Sequence, residues 1–310
     1  MNAYVCIYAS QVAMCIGANK HKKVSEALEM MWQRVSPTGF AAAMQRNGQK
    51  TEDEQAADII KAHTEVQGLV DLTMATECDS SDQVAQQYDS IAKELRDLPD
   101  LPEEDRKLVD DVLKRNLYTN YGNTHEHRVL TYIRDTLGIQ CGEDPTFYKI
   151  QAGVAQGAWG SFPWHVGGKI DAIDDKKTLL IEIKNRVNRL FYRVPFYEQV
   201  QVQAYLHLLD LDRGVLVECL KTRDNEEDIL ADTAAARTTV NVIPIKRDRD
   251  LWEREIVPKL SGFVDFLGCV VNDTNMQDRY LQSKRRSAMI TVHVNAWKSK
   301  NKNPAGVYNS

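Results

Sequence analysis

Residues 167–186 read GGKIDAIDDKKTLLIEIKNR, and the fold turns on how this stretch is divided. Two runs rich in Ile and Leu flank Asp174, Asp175, Lys176 and Lys177, which is the pattern of strand, polar turn, strand. With Ile173 set opposite Thr178, the alternation of side chains along a strand puts Ile170, Ala172, Leu179, Ile181 and Ile183 on one apolar face. Lys169, Asp171, Glu182 and Lys184 share the other. Asp171 then lies diagonal to Glu182, at a backbone separation of about 7–8 Å that side chains can close. Two carboxylates converge, with a lysine beside them.

Hard cations such as Mg²⁺ and Mn²⁺ take oxygen ligands, and a cation held by two carboxylates polarises a phosphoryl oxygen and acidifies a bound water. Lys184 would hold that water or steady developing negative charge. Lys184→Ala is expected to cost little stability, because the residue stands on a polar face. The plain alternative is an exposed strand face whose charges pair for solubility.

At 310 residues the chain has room for one large or two small domains and a substantial core. Its apolar runs fall short of the ~18 residues that span a membrane, and MNAYVCIYAS lacks a basic segment leading into a long apolar one. The expectation is an unprocessed intracellular protein, in the cytoplasm or nucleus of its cell or host, neither secreted nor membrane-bound. The six cysteines are scattered without a CxxC pair, which argues against zinc, iron–sulfur clusters and a disulfide framework. A net charge of −5 disfavours coating nucleic acid through bulk charge and leaves room for an enzyme with local basic groups.

Residues 3–8 read as a short strand, and Ser10 as the N-cap of a brief helix ending at Gly17. The basic link Asn19–Lys23 (NKHKK) leads to a helix from Ser25 to Val35. Residues 37–118 are helical and polar, with stripes at Ile59–Leu72, Val84–Leu95 and Val109–Leu117. No chemistry is legible there. A separate helix over 124–137 carries Val129, Leu130, Ile133 and Leu137 on one stripe, and Glu126 falls on that stripe too. Glu126 either points at the carboxylate hairpin or closes a capping box with Asn123.

A strand over 147–155 and a loop over 157–168 place Trp159 and Trp164 near the hairpin, to stack on bases or to be buried against the sheet. Arg186, Arg189 and Arg193 add local positive charge, for phosphates or as a solvated linker. Pro195 opens a helix to Leu209 in which Gln201 and Tyr205 stand one turn apart. Strands over 214–220 and 239–245, an amphipathic helix through Trp252–Leu267, a strand-like AMITVHV and a loose end complete the chain.

Helix with Glu126, strand, strand with Asp171, strand with Glu182 and Lys184, then a helix with QVQAY resembles the PD-(D/E)XK nuclease superfamily. YASQVAMCIG at the start is similar to the opening of its lambda-exonuclease and YqaJ-type viral recombinase branch. The resemblance implies an α/β fold with a mixed central sheet flanked by helices, a restriction-endonuclease-like core. That core would comprise residues 1–36 and 119–268, with a helical insertion at 37–118 and a C-terminal extension at 269–310. It implies Mg²⁺ or Mn²⁺ held by Glu126, Asp171, Glu182 and the backbone carbonyl of Ile183, with Lys184 and Gln201 catalytic. Ser10 would bind the terminal phosphate of a DNA end, and Tyr205 and Arg186 the strand. Gly168 and Lys169 stand where relatives often carry Ser-Pro, which makes Lys169 a phosphate contact. The implied activity is a DNA exonuclease of recombination, repair or viral replication, acting on double-stranded ends, with a single-strand annealing or recombination protein or further copies of itself as partners. Two alternatives are a structure-specific endonuclease or resolvase on the same fold, and a catalytically silent nucleic-acid-binding protein.

Overall fold

The computed structural model describes residues 5–157, 160–222 and 237–301. In chain order, β1 (Val5–Tyr8) is followed by α1 (Ala9–Cys15), α2 (Val24–Val35), α3 (Pro37–Arg46), α4 (Glu52–Ala62), α5 (Thr64–Ala75), α6 (Ser81–Asp97) and α7 (Glu103–Leu137). Five strands come next: β2 (Cys141–Gly142), β3 (Tyr148–Gly157), β4 (Gly160–Gly168), β5 (Ala172–Asp174) and β6 (Leu180–Arg186). Then come α8 (Phe196–Leu208), β7 (Arg213–Thr222) and β8 (Arg237–Lys246). A helical turn at Arg249–Leu251 and a π turn at Trp252–Ile256 lead into α9 (Val257–Asn272), α10 (Thr274–Gln282) and α11 (Arg286–Lys300).

The architecture is mixed α/β. One sheet runs β2-β5-β6-β7-β8, with β6 and β7 parallel and the other pairs antiparallel; a second runs β1-β4-β3, with β1 parallel to β4. Period-two alternation sends successive residues of β6 to opposite faces. Leu180 joins the large core built with α1, α2, α8 and α9, whereas Ile181 and Ile183 pack with Ala172, Val215 and Val217 against Val129, Leu130 and Ile133 of α7. Helices thus cover both faces of this sheet. Parallel strands β6 and β7 are joined through α8, so the carboxyl end of β6 opens towards the start of that helix.

The hairpin register differs by two residues from the one expected. Ala172 pairs with Ile181 and Ile173 with Leu180, so the turn is wider and Asp171 comes level with Glu182 instead of diagonal to it. Asp174 stabilises the wider turn by accepting from the Thr178 and Leu179 amides at 2.6 Å, with Lys177 at φ +54°. Face assignments survive a two-residue shift because it preserves parity. Ile170 is the exception, since β5 begins only at Ala172; it packs into the core on the other side.

Three helix expectations are corrected. The stripes at 109–117 and 124–137 belong to one 35-residue helix, α7, which ends at Gly138 in the left-handed region, φ +66°. Polar TNYGNT looks like a break, but burial of Tyr121 and His125 on the inner side of α7 outweighs the roughly 1 kcal/mol that a helical glycine costs. The expected boundary at 118/119 therefore falls inside a helix, and that at 268/269 falls inside α9. The stripe Ile59–Leu72 is two helices, α4 and α5, meeting at His63. AMITVHV is helical, part of α11: Ile290 and Val294, one turn apart, are buried, and a Cβ at Gly262 of α9 would stand 3.1 Å from the Val294 Cα. Close helix packing overrides the β preference of Ile, Thr and Val.

Ser10 does not cap α1. Tyr8 holds the cap position, its N–H donating to Gln11 Oε1 at 3.4 Å, and Ser10 sits exposed in the first turn. Trp164 is fully buried in β4, against a Gly153 whose Cβ would lie 2.6 Å from the indole nitrogen, so it offers no face to a base. Trp159 lies outside the described residues.

Candidate metal centre

Strand β5 is three residues long, so beyond Ile181 the edge of β6 has no partner strand on that side among the described residues. The vacated ladder position is taken by a side chain: Asp171 Oδ2 accepts from the Ile183 amide at 2.7 Å. A strand residue directs its N–H and C=O to the same side, so the Ile183 carbonyl also faces the Asp171 edge. Asp171 is thereby fixed level with Glu182.

Glu182 is 1% exposed. Its Oε1 accepts from Lys184 Nζ at 2.7 Å and from Gln201 Nε2 at 2.8 Å, while its Oε2 is buried with no hydrogen-bond partner among the described residues. Helix α8 delivers Gln201 because the β6–α8–β7 crossover packs that helix on the Glu182 face. Tyr205, one turn on, hydrogen-bonds the Gln201 side chain and lies against Gly168, where a Cβ would stand 3.0 Å from the ring. Tyr205 is buried, which corrects its expected role as a strand contact: its place is behind Gln201.

The electrostatics follow from burial and from two carboxylates side by side. Burial first, then the Asp171 charge, raise Glu182 to about pKa 7. Burial likewise raises Asp171 above the usual carboxylate range, against the pull of Lys184 and the Ile183 N–H. For Lys184, burial works against the ammonium, but Glu182 and Asp171 outweigh it and the pKa rises. Lys184 is therefore a held cation, a donor and not a base. It is also the counter-charge of a buried carboxylate, so the expectation of a cheap Lys184→Ala does not suit its setting.

Glu126 lies inside α7, with Asn123 also helical, so no helix start exists there for a capping box. It is part-buried, and its pKa is raised by burial and then by the Asp171 charge, with Lys184 opposing. Glu126 thus comes from the helix on one face and Glu182, Lys184 and Gln201 from the other; it feels the charges of Asp171 and Lys184, but its oxygens do not close with those of Asp171 and Glu182 into a tight three-ligand cluster. The methyl of Ala9, the residue before Ser10, would lie 3.5 Å from a Cβ at Gly168, and Ser10 and Lys169 are both exposed.

Arg186 is the clear departure. Its guanidinium makes a bidentate pair with Glu198 at 2.7 Å and reaches Glu218 at 2.8–2.9 Å, and both acids are buried. A fork engaged by two carboxylates inside the fold has none of its face left for a phosphate. Glu198 and Glu218 went unnoticed in the sequence. The signals were there, a lone acid in the apolar run GVLVECL and an acid three residues before Gln201, but neither shows its partner.

A hard divalent cation fits these residues. A buried carboxylate oxygen without a hydrogen-bond partner among the described residues, a second raised carboxylate level with it, and a third carboxylate that feels the charge of the second offer oxygen donors only. The tight three-residue cluster of potential ligand atoms found among the described residues is elsewhere, at Asp265, Cys269 and His293. There the imidazole Nε2 and an Asp265 oxygen already satisfy each other at 2.7 Å and tie α11 to α9.

No family model matches the chain, and no curated protein matches it in sequence. Solved structures with a similar course of the chain include a phage-related exonuclease from Haemophilus somnus 129PT, 12% identical with a TM-score of 0.40 over 90% of this chain and 96% of that one. Another is an alkaline exonuclease from Laribacter hongkongensis, 17% identical with a TM-score of 0.33 over 70% of this chain and 90% of that one. Likeness at this distance carries no activity with it. Among the described residues, no helix is long and apolar enough to cross a membrane.

Proposed function

We propose that this protein is a Mg²⁺- or Mn²⁺-dependent nuclease that hydrolyses DNA phosphodiesters from ends. The observation that carries the reading is Glu182: a buried carboxylate with one oxygen shared by Lys184 and Gln201, the other without a hydrogen-bond partner among the described residues, and Asp171 level with it. A structural ion pair needs no second raised carboxylate and leaves no orphan oxygen. Glu126, Asp171, Glu182 and the Ile183 carbonyl would hold the cation. When bound, it supplies Lewis-acid polarisation of the phosphoryl oxygen and a more acidic water.

The remaining chemistry belongs to the chain. Lys184 presents a fixed positive charge beside the site and donates to an attacking water or to a non-bridging oxygen as charge develops there. Gln201, held by Tyr205 on one side and Glu182 on the other, orients the scissile phosphate or the water. End dependence rests on Ser10, exposed in the first turn of α1, whose hydroxyl would donate to a terminal phosphate. A role in recombination, repair or viral DNA replication, beside an annealing protein, suits such an enzyme.

The test is a digest of end-labelled linear duplex and covalently closed circular DNA with Mg²⁺, with Mn²⁺ and in EDTA. Loss of the linear substrate alone, abolished by EDTA, is expected. Equal cutting of circles would make it an endonuclease, and full activity in EDTA would remove the metal mechanism.

A further inference from the structure

The segment between the catalytic strand and the catalytic helix, residues 187–195, is held with unusual firmness for a surface loop. Glu218, fully buried, spends its oxygens on the amides of Phe191 and Tyr192 at 3.0–3.3 Å, on Asn241 at 3.0 Å and on Arg186. Arg186 in turn lies 4.3 Å from the centre of the Phe191 ring. Tyr192 is fixed at φ +56°, a conformation a bulky residue enters only when its surroundings impose it. The outcome is a ring driven outward, 70% exposed, between the exposed Arg189 and Arg193, with Phe196 50% exposed just beyond. An apolar ring held in solvent by a strained backbone and a buried acid is not a packing residue.

Tertiary structure brings a second basic segment to the same place. The ring of His21 packs edge-on to Tyr197 at 5.6 Å, which sets the exposed Lys20, Lys22 and Lys23 beside the start of α8. Asn19 shapes that link by accepting from the His21 and Lys22 amides at 2.8 and 3.1 Å. The 187–195 segment leaves the carboxyl end of β6, the side of a parallel crossover where ligands bind, and the basic link reaches that end through Tyr197, whose hydroxyl feels the Lys184 charge. A chain of net charge −5 thus gathers cations at one rim and interleaves them with exposed aromatic rings. That combination suits unpaired nucleotides, whose bases expose faces for stacking and whose phosphates follow the cations; a blunt duplex offers its bases only at the end.

We propose that the 189–196 segment and the Lys20–Lys23 link form a track for single-stranded DNA leading to the carboxylate site, with Tyr192 and Phe196 stacking on bases. The proposal rests on the nuclease reading for its place in the reaction, yet its binding test needs no hydrolysis. Anisotropy in EDTA is measured with a labelled single strand and with a blunt duplex of the same sequence. Tyr192→Ala and Phe196→Ala should each weaken the single strand roughly tenfold, the loss of one base–aromatic stack, and leave the duplex within about twofold. Tyr192→Phe, which keeps the ring, should bind as the parent does. Arg189→Gln with Arg193→Gln should flatten the log–log salt dependence by about 1.4, for two phosphates of a single strand. Unchanged single-strand affinity in both ring variants, or an equal loss on the blunt duplex, overturns the track. Cleavage with ring-independent binding removes the track and keeps the nuclease. Ring-dependent binding in a protein that cleaves no DNA does the reverse.

Discussion

Gln201 Nε2 and Glu182 Oε1 are joined at 2.8 Å across the space between helix α8 and strand β6, and this one contact ties the crossover helix to the carboxylate of the strand that precedes it. Lys184 reaches the same oxygen at 2.7 Å, so two donor side chains from two elements share a single acceptor oxygen, while Glu182 Oε2 has no donor among the described residues.

Adding a divalent cation should stabilise the protein. A cation at Oε2 and Asp171 relieves the burial cost of two raised carboxylates, and a ligand bound only by the folded state shifts the midpoint by mass action. Thermal unfolding with Mn²⁺ against EDTA should show a higher midpoint with metal. Glu182→Gln should erase the difference, and an undiminished shift in that variant would put the cation elsewhere.

Lys184→Met should fold less stably in EDTA as well as cut slowly. Removing one partner of a buried pair leaves an uncompensated carboxylate, at a cost of about 3–5 kcal/mol when the acid stays ionised. Turnover should fall by roughly 10²-fold or more, since the charge acts mainly on the transition state. Denaturant midpoints and single-turnover rates on bound DNA measure the two effects separately.

Glu126→Gln should raise the Mn²⁺ concentration needed for half-maximal activity by about tenfold while the unfolding free energy stays within about 0.5 kcal/mol of the parent. Its carboxylate feels Asp171 and Lys184 but is only part-buried. A normal metal requirement in this variant would reduce Glu126 to a bystander.

Arg186→Met should destabilise by about 3–5 kcal/mol, because Glu198 and Glu218 lose their shared counter-ion inside the fold. The salt dependence of DNA binding should stay as in the parent. A flatter salt slope with normal stability would return Arg186 to the phosphate contacts.

Acid should weaken the fold through His207. Burial, with Arg247 and Arg249 adding to it, lowers this imidazole to about pKa 4, and it stacks on Trp252 with Nδ1–H donating to the Gln203 carbonyl at 2.8 Å. The unfolded chain takes up the proton near pH 6.5 and the folded one only near 4. Its contribution is therefore complete above about pH 6.5 and lost as the pH falls towards 4, at most about 3 kcal/mol. Urea unfolding at pH 7 and pH 4.5 should show a smaller acid loss in His207→Phe than in the parent.

Local pattern was enough for what depends on residues near in the chain. Alternating Ile and Leu around DDKK specified a hairpin, its parity placed Glu182 and Lys184 on one face and Ile181 and Ile183 on the other, and the spacing of Gln201 and Tyr205 put them on one side of a helix. Parity survives a two-residue error in register, which is why the faces were legible and the pairing of Asp171 was not. What only the tertiary structure decided depends on partners far away in sequence. Burial of Tyr121 and His125 carries α7 through a polar stretch, and Gly262 draws a β-branched segment into a helix against α9. Arg186 reads as a free cation until Glu198 and Glu218, 12 and 32 residues further on, close around it. A charge declares its sign in the sequence, but its exposure and its partner are properties of the packed chain, and these decide whether an arginine meets a phosphate or a buried acid.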